Sequence, residues 1–113
     1  MVATLVANAL GVGLVLVRKP GSVHPRSESE VAATPDWRGR HLELRVSREA
    51  IRANDRLLVA DDWIETGSQA RTVAHLVQRL GARLIGVSVL VDGTTDEVRN
   101  DLRVVGLVQS SEL

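Results

Sequence analysis

Apolar positions along the chain fall into short runs whose period changes several times. Residues 2–10, VATLVANAL, are apolar around most of a helical circumference and predict a buried helix. Gly11 to Gly13 predicts a turn, and LVLV at 14–17 predicts a strand apolar on both faces. HLELRV at 41–46 alternates Leu42, Leu44 and Val46 with Glu43 and Arg45, as a strand covered on one face does. SREAI then predicts a turn or a single helical turn, and RLLVA at 56–60 a further strand. From Ala70 to Leu80, Val73, Leu76, Val77 and Leu80 keep the i, i+3, i+4, i+7 spacing of an amphipathic helix, with Gly81 as its stop. ARLIGVSVLVD at 82–92 predicts a buried strand, TTDEVRNDL a polar turn, and RVVGLV at 103–108 a last short strand. Strands alternating with helices imply an α/β fold with a parallel sheet.

The segment from Arg18 to Arg40 holds all three prolines and reads as one long connection. Connections of that length inside a compact domain are commonly lids or binding loops. The apolar first seventeen residues raise the question of a membrane anchor, but they lack a basic start, carry Asn8 and two glycines, and stop at Arg18, short of a bilayer span. No membrane role is expected. With 113 residues, one small domain spanning 1–113 is expected, and its function must rest on one site. Fourteen basic and fourteen acidic residues leave no field to attract nucleic acid, and none is expected as a partner. The absence of cysteine excludes disulfides, thiolate metal sites and thiol nucleophiles, and fits a cytoplasmic location. His24, His41 and His75 match no metal spacing, so no protein-built metal site is expected.

The chemistry concentrates in DDWIETGSQ, Asp61 to Gln69, behind one predicted strand and ahead of the best predicted helix. Ligands of open α/β sheets bind beyond the carboxyl ends of the strands, where Asp61 and Asp62 stand. Thr66, Gly67, Ser68 and Gln69 then feed a helix N-terminus, whose unpaired N–H groups and dipole favour an anion. Adjacent acceptors beside an anion cradle suit a ribose phosphate. A helix cap or a divalent-cation site is an equal reading of the same residues.

LLVADDWIETGSQA at 57–70 resembles the phosphoribosyl-diphosphate signature of type I phosphoribosyltransferases. LGVGLVLVRKPGS at 10–22 is similar to the helix end, strand and Arg-Lys-Pro-Gly loop of the adenine-specific branch. The resemblance covers nearly the whole chain and implies a Rossmann-like type I phosphoribosyltransferase core. It further implies transfer of ribose 5-phosphate from phosphoribosyl diphosphate to a purine-like base with release of diphosphate, as in purine salvage. Under it Asp61 and Asp62 bind the ribose hydroxyls, and Glu65, Thr66, Gly67, Ser68 and Gln69 wrap the 5'-phosphate. Arg18 and Lys19 approach the diphosphate, which carries Mg²⁺, and homodimers are common in the family. The alternative is a non-catalytic nucleotide-binding regulatory module on the same fold.

Three departures from the family pattern matter. Gln69 stands where Ser or Thr is usual. Glu65 stands where adenine enzymes carry a small residue, while hypoxanthine-guanine enzymes carry an acid facing the purine; Glu65 is therefore the candidate general acid/base. The family's strand and second diphosphate turn ahead of the first helix are missing, so a core lacking its N-terminal strand, from a truncated start, is expected. Trp63 is expected to pack half-buried, with Asp36 and Trp37 on the lid.

Overall fold

The computed structural model describes residues 1–17, 29–35 and 41–113, and these divide into two compact units. The first comprises 1–14, 57–67 and 85–113; the second comprises 15–56 and 68–84. The expected lid thus lies partly outside the described residues, with Arg18, Lys19, Asp36 and Trp37.

The first unit is built on a three-stranded parallel sheet in the order β3 (Arg56–Ile64), β4 (Arg83–Asp92), β5 (Val104–Gln109). The sheet takes its core from β4, where Val87 and Val89 are buried, as β-branched residues on a covered pleat should be. β4 and β5 run in parallel register from Val87 opposite Val104 to Asp92 opposite Gln109. They are joined by α3 (Asp96–Leu102), not by the polar turn expected there. The Thr95 side chain caps this helix by accepting from the Val98 N–H, Asp96 and Glu97 complement its dipole, and Leu102 anchors it. Its two turns bury too few apolar positions to show a helical period, and only the Thr-Asp-Glu start betrays it.

The same unit holds α1 (Val2–Leu10), which forms as expected and stops at Gly11, whose φ of 67° suits a left-handed cap. It is not a buried helix: Ala7 is its one buried residue, and Leu5 and Leu10 are exposed. Residues 12–17 correct the sequence reading further. The expected strand LVLV has no regular structure, and Leu16 is 56% exposed. An apolar, β-prone run becomes a strand only where a neighbour completes its ladder, and among the described residues none pairs with it.

In the second unit β1 (Ser29–Pro35) and β2 (His41–Ser47) form an antiparallel hairpin in register from Ser29 opposite Ser47 to Pro35 opposite His41. β2 was expected; β1 was read as part of the long connection, because SEVAATP lacks an alternating pattern and owes its extension to its partner. Leu44 and Val46 of β2 are buried on one face, as the alternation required. A 3₁₀ turn, Arg48–Ala50, takes the place of the expected SREAI turn. The helix α2 (Ser68–Arg79) lies against both strands of the hairpin and buries Ala70, Thr72, Leu76 and Val77. It ends at Gly81, whose φ of 80° accepts the chain reversal and whose N–H returns to the Gln78 carbonyl at 3.0 Å.

Candidate functional site

β3 carries its apolar residues to Ala60 and then places Asp61 and Asp62 inside the strand rather than after it. Both side chains are exposed, as a binding role demands. Successive strand residues face opposite sides, so Asp61 and Trp63 share one side of β3, while Asp62 shares the other with the buried Ile64; Glu65 lies in the bend that follows. The Asp62 backbone N–H donates to Asp61 Oδ1 at 2.8 Å, which holds the Asp61 carboxylate against the backbone of its neighbour. The Asp61 carboxyl is pushed above its ordinary value. Partial burial raises it most; the Asp62 N–H opposes, and the neighbouring Asp62 carboxylate raises it again.

Beyond the strand, Glu65 and Thr66 are exposed and Gly67 is buried. Gly67 has φ 82°, and a Cβ there would lie 2.8 Å from Val98 Cγ1 and 3.1 Å from Leu102 Cδ1. Both the backbone and the approach of α3 therefore require glycine. The division between the two units falls at the Gly67–Ser68 peptide. Ser68 is half-buried and opens α2, its carbonyl accepting from Thr72 Oγ1 at 2.9 Å; exposed Gln69 follows in the same turn. Asp61 to Gln69 are thus one continuous segment, whereas Arg18 and Lys19 lie outside the described residues.

Glu65 is held from two sides. The Trp63 indole Nε1–H donates to Glu65 Oε1 at 2.6 Å, while Glu65 Oε2 sits 2.6 Å from where a Cβ on Gly93 would be. The Gly93 N–H also donates to the Ile64 carbonyl at 2.8 Å, which ties the turn after β4 to the turn after β3. Trp63 is 44% exposed, so its ring is about half covered, and its N–H makes the bond to Glu65 that the sequence reading did not anticipate.

The turn after β4 is fixed by a buried charge. Asp92 is 3% exposed and accepts from Arg99 Nε at 2.6 Å and from the N–H and hydroxyl of Thr94; Arg99 also reaches Asp96 at 2.6 Å and the Thr94 carbonyl at 3.0 Å. Burial pushes the Asp92 carboxyl upward, but the Arg99 and Thr94 hydrogen bonds and the Arg99 charge outweigh it, leaving that carboxyl below the usual carboxylate range.

This chain and its fold have counterparts among known proteins. The phosphoribosyl transferase domain model matches residues 1–111. The chain belongs to the phosphoribosyl transferase domain family. It is 40% identical over 90 residues to an adenine phosphoribosyltransferase of Anaeromyxobacter sp. (strain Fw109-5), covering 80% of this chain and 49% of that protein. It is 37% identical over 92 residues to the adenine phosphoribosyltransferase of Cutibacterium acnes, covering 81% of this chain and 50% of the relative. The chain thus spans about half the length of these curated relatives. Among solved structures, the adenine phosphoribosyltransferase of Thermoanaerobacter pseudethanolicus superposes with a TM-score of 0.81 at 25% identity, covering 94% of this chain and 62% of that one. The Saccharomyces cerevisiae enzyme, complexed with an imino-altritol bisphosphate and adenine, gives 0.72 at 30% identity, covering 90% and 56%. The α/β fold of this family, with its parallel sheet, is therefore the fold of this chain.

Two features of this family member escaped the sequence reading. The Trp63–Glu65 bond was legible in part, since the two residues stand close together in the sequence. The Asp92–Arg99 pair was not: it spans a turn and a helix, and no residue spacing predicts it.

Proposed function

We propose that this chain binds phosphoribosyl diphosphate along Asp61–Gln69 and transfers its ribose 5-phosphate to a purine-like base of the adenine type, releasing diphosphate. The observation that carries this reading is the exposed Asp61–Asp62 pair at the carboxyl end of β3, ahead of a glycine turn into α2, in a family whose similar members are named adenine phosphoribosyltransferases. Asp61 and Asp62 would accept hydrogen bonds from the ribose 2'- and 3'-hydroxyls. The Glu65–Gln69 segment would offer N–H groups to the 5'-phosphate, as helix-entry turns do. Arg18 and Lys19 would meet the diphosphate.

In the reaction the bond from ribose C1 to the diphosphate oxygen breaks, and the leaving group keeps the electron pair. A base nitrogen bonds to C1, and its proton passes to Glu65 Oε2, the carboxylate oxygen away from Trp63. Orientation and charge stabilisation would supply the rate. Among the described residues no cluster of three or more His, Cys, Asp or Glu could hold a metal alone. The adjacent exposed carboxylates do offer the hard oxygen donors that Mg²⁺ takes alongside substrate phosphates. Mg²⁺ arriving on the diphosphate would neutralise charge on that leaving group.

Among the described residues no helix is long and apolar enough to cross a membrane. We propose a cytoplasmic protein acting on small molecules, with pairing into homodimers as its expected assembly. The second reading, a module that binds phosphoribosyl diphosphate without turnover, is supported by residues 12–17, which add no strand ahead of Arg18 and Lys19.

Isothermal titration with phosphoribosyl diphosphate, with and without Mg²⁺, followed by a diphosphate-release assay with adenine, hypoxanthine and guanine, tests both. Release with adenine supports the transferase, and binding without release supports the module. Alanine at both Asp61 and Asp62 should weaken binding about 100-fold, since hydrogen bonds to charged groups contribute about 1.5–3 kcal/mol each. Undiminished affinity in that double variant would end the assignment of the site.

A further inference from the structure

We infer that Trp63 is a positioning residue for Glu65. Its indole N–H sets the carboxylate against Gly93 so that Oε2 is held ready to accept an N–H of the acceptor base. The inference rests on the transferase reading and deepens it.

Three observations converge on it. Asp61 and Trp63 lie on one side of β3 and the indole reaches Glu65 in the bend beyond it, so Trp63 stands along the chain between the acid proposed for ribose and the acid proposed for the base. The bond from Nε1 to Glu65 Oε1 is 2.6 Å, at the short limit even for donors facing a charged acceptor. The opposite oxygen, Oε2, rests where any side chain on Gly93 would be, 2.6 Å from the Cβ position, while Gly93 itself is tied to Ile64. The indole N–H holds one oxygen of the carboxylate, and the absence of a side chain on Gly93 leaves room for the other.

The choice of tryptophan has a chemical reason. An arginine or lysine would hold a carboxylate equally well but would neutralise it, and a neutralised carboxylate is a poor proton acceptor. Indole donates one hydrogen bond, accepts none and carries no charge, so it orients Glu65 without placing an opposite charge beside it. Its rigid ring, with two side-chain torsions, also fixes the donor at low entropic cost.

The test uses the 113-residue chain and four variants. Trp63→Phe keeps an aromatic ring, smaller than indole, and deletes the N–H. Gly93→Ala inserts a methyl group at the seat; Gly93 lies outside the left-handed region, but the new Cβ also lies 3.0 Å from the Ile64 carbonyl, so thermal unfolding of this variant is measured beside its kcat. Glu65→Gln and the Trp63→Phe/Glu65→Gln double variant complete the set. Trp63→Phe and Gly93→Ala should each lower kcat for diphosphate release about tenfold, with KM for phosphoribosyl diphosphate within about twofold, because misplacement by an ångström can cost up to about a hundredfold in rate. The double variant should be no slower than Glu65→Gln alone. The Trp63 indole N–H resonance, assigned by its loss in Trp63→Phe, should move in Glu65→Gln.

A wild-type kcat in Trp63→Phe, or losses that multiply in the double variant, overturns the inference whatever the resonance does. Should the unaltered chain bind phosphoribosyl diphosphate but release no diphosphate with any base, the transferase reading has failed separately. The resonance then decides the inference: a shift in Glu65→Gln supports it, and an unmoved signal overturns it.

Discussion

The turn after β4 and the segment at residues 12–17 make opposite use of their side chains. In the first, a polar sequence is buried and pinned: Asp92 is closed off by Arg99 and Thr94, and Gly93 is tied to Ile64. In the second, Val12, Leu14, Leu16 and Val17 stand exposed and without regular structure. Hydrophobicity does not by itself bury a segment, nor polarity expose one. A strand needs a neighbour for its ladder, and a carboxylate can be buried once every acceptor oxygen has a donor.

The comparison breaks most visibly at Arg99. Arg99→Ala leaves the buried Asp92 carboxylate with only Thr94 beside it, and should destabilise the chain more than any substitution below. Urea denaturation reads it. Because the Asp92 carboxyl is held below its ordinary value, its stabilising contribution is complete above the usual carboxylate range and lost as the pH falls through the lowered value. The gap between wild type and variant should therefore narrow in acid. Asp61 has the opposite sign: its raised carboxyl favours the fold below the usual carboxylate range, and that advantage is lost as the pH rises through the raised value.

Gly67 sharpens the same contrast from the side of β3. Gly67→Ala meets both a left-handed backbone and Val98 Cγ1 at 2.8 Å, and should cost about 2 kcal/mol, read as a lowered thermal midpoint. At the other extreme, Leu16→Ser should change the unfolding free energy in urea by less than about 0.5 kcal/mol, as exposed substitutions do. A loss above 2 kcal/mol there would show the segment to be packed, and the contrast would dissolve.

Most of the fold could be read in advance where a period was long enough to be unambiguous. Val73, Leu76, Val77 and Leu80 marked α2, and RLLVA and LIGVSVLV marked β3 and β4. The sequence reading failed where structure depended on a partner. β1 is extended because β2 pairs with it, and LVLV is not extended because nothing among the described residues does. It failed also where elements are short, as at α3, which buries only Leu102. For the site, position at the end of a strand was enough to single out Asp61, Asp62 and the glycine turn. The partner of Glu65 was not foreseen, because Trp63 was weighed as apolar surface rather than as a hydrogen-bond donor.

That placement of Trp63 gives the molecule a built-in optical probe. The chain has two tryptophans and neither tyrosine nor phenylalanine, so its near-ultraviolet signal comes from two indoles alone. One of them is bonded to the acid on which the proposed chemistry turns. Occupancy of that acid can thus be followed in the emission of the unlabelled protein.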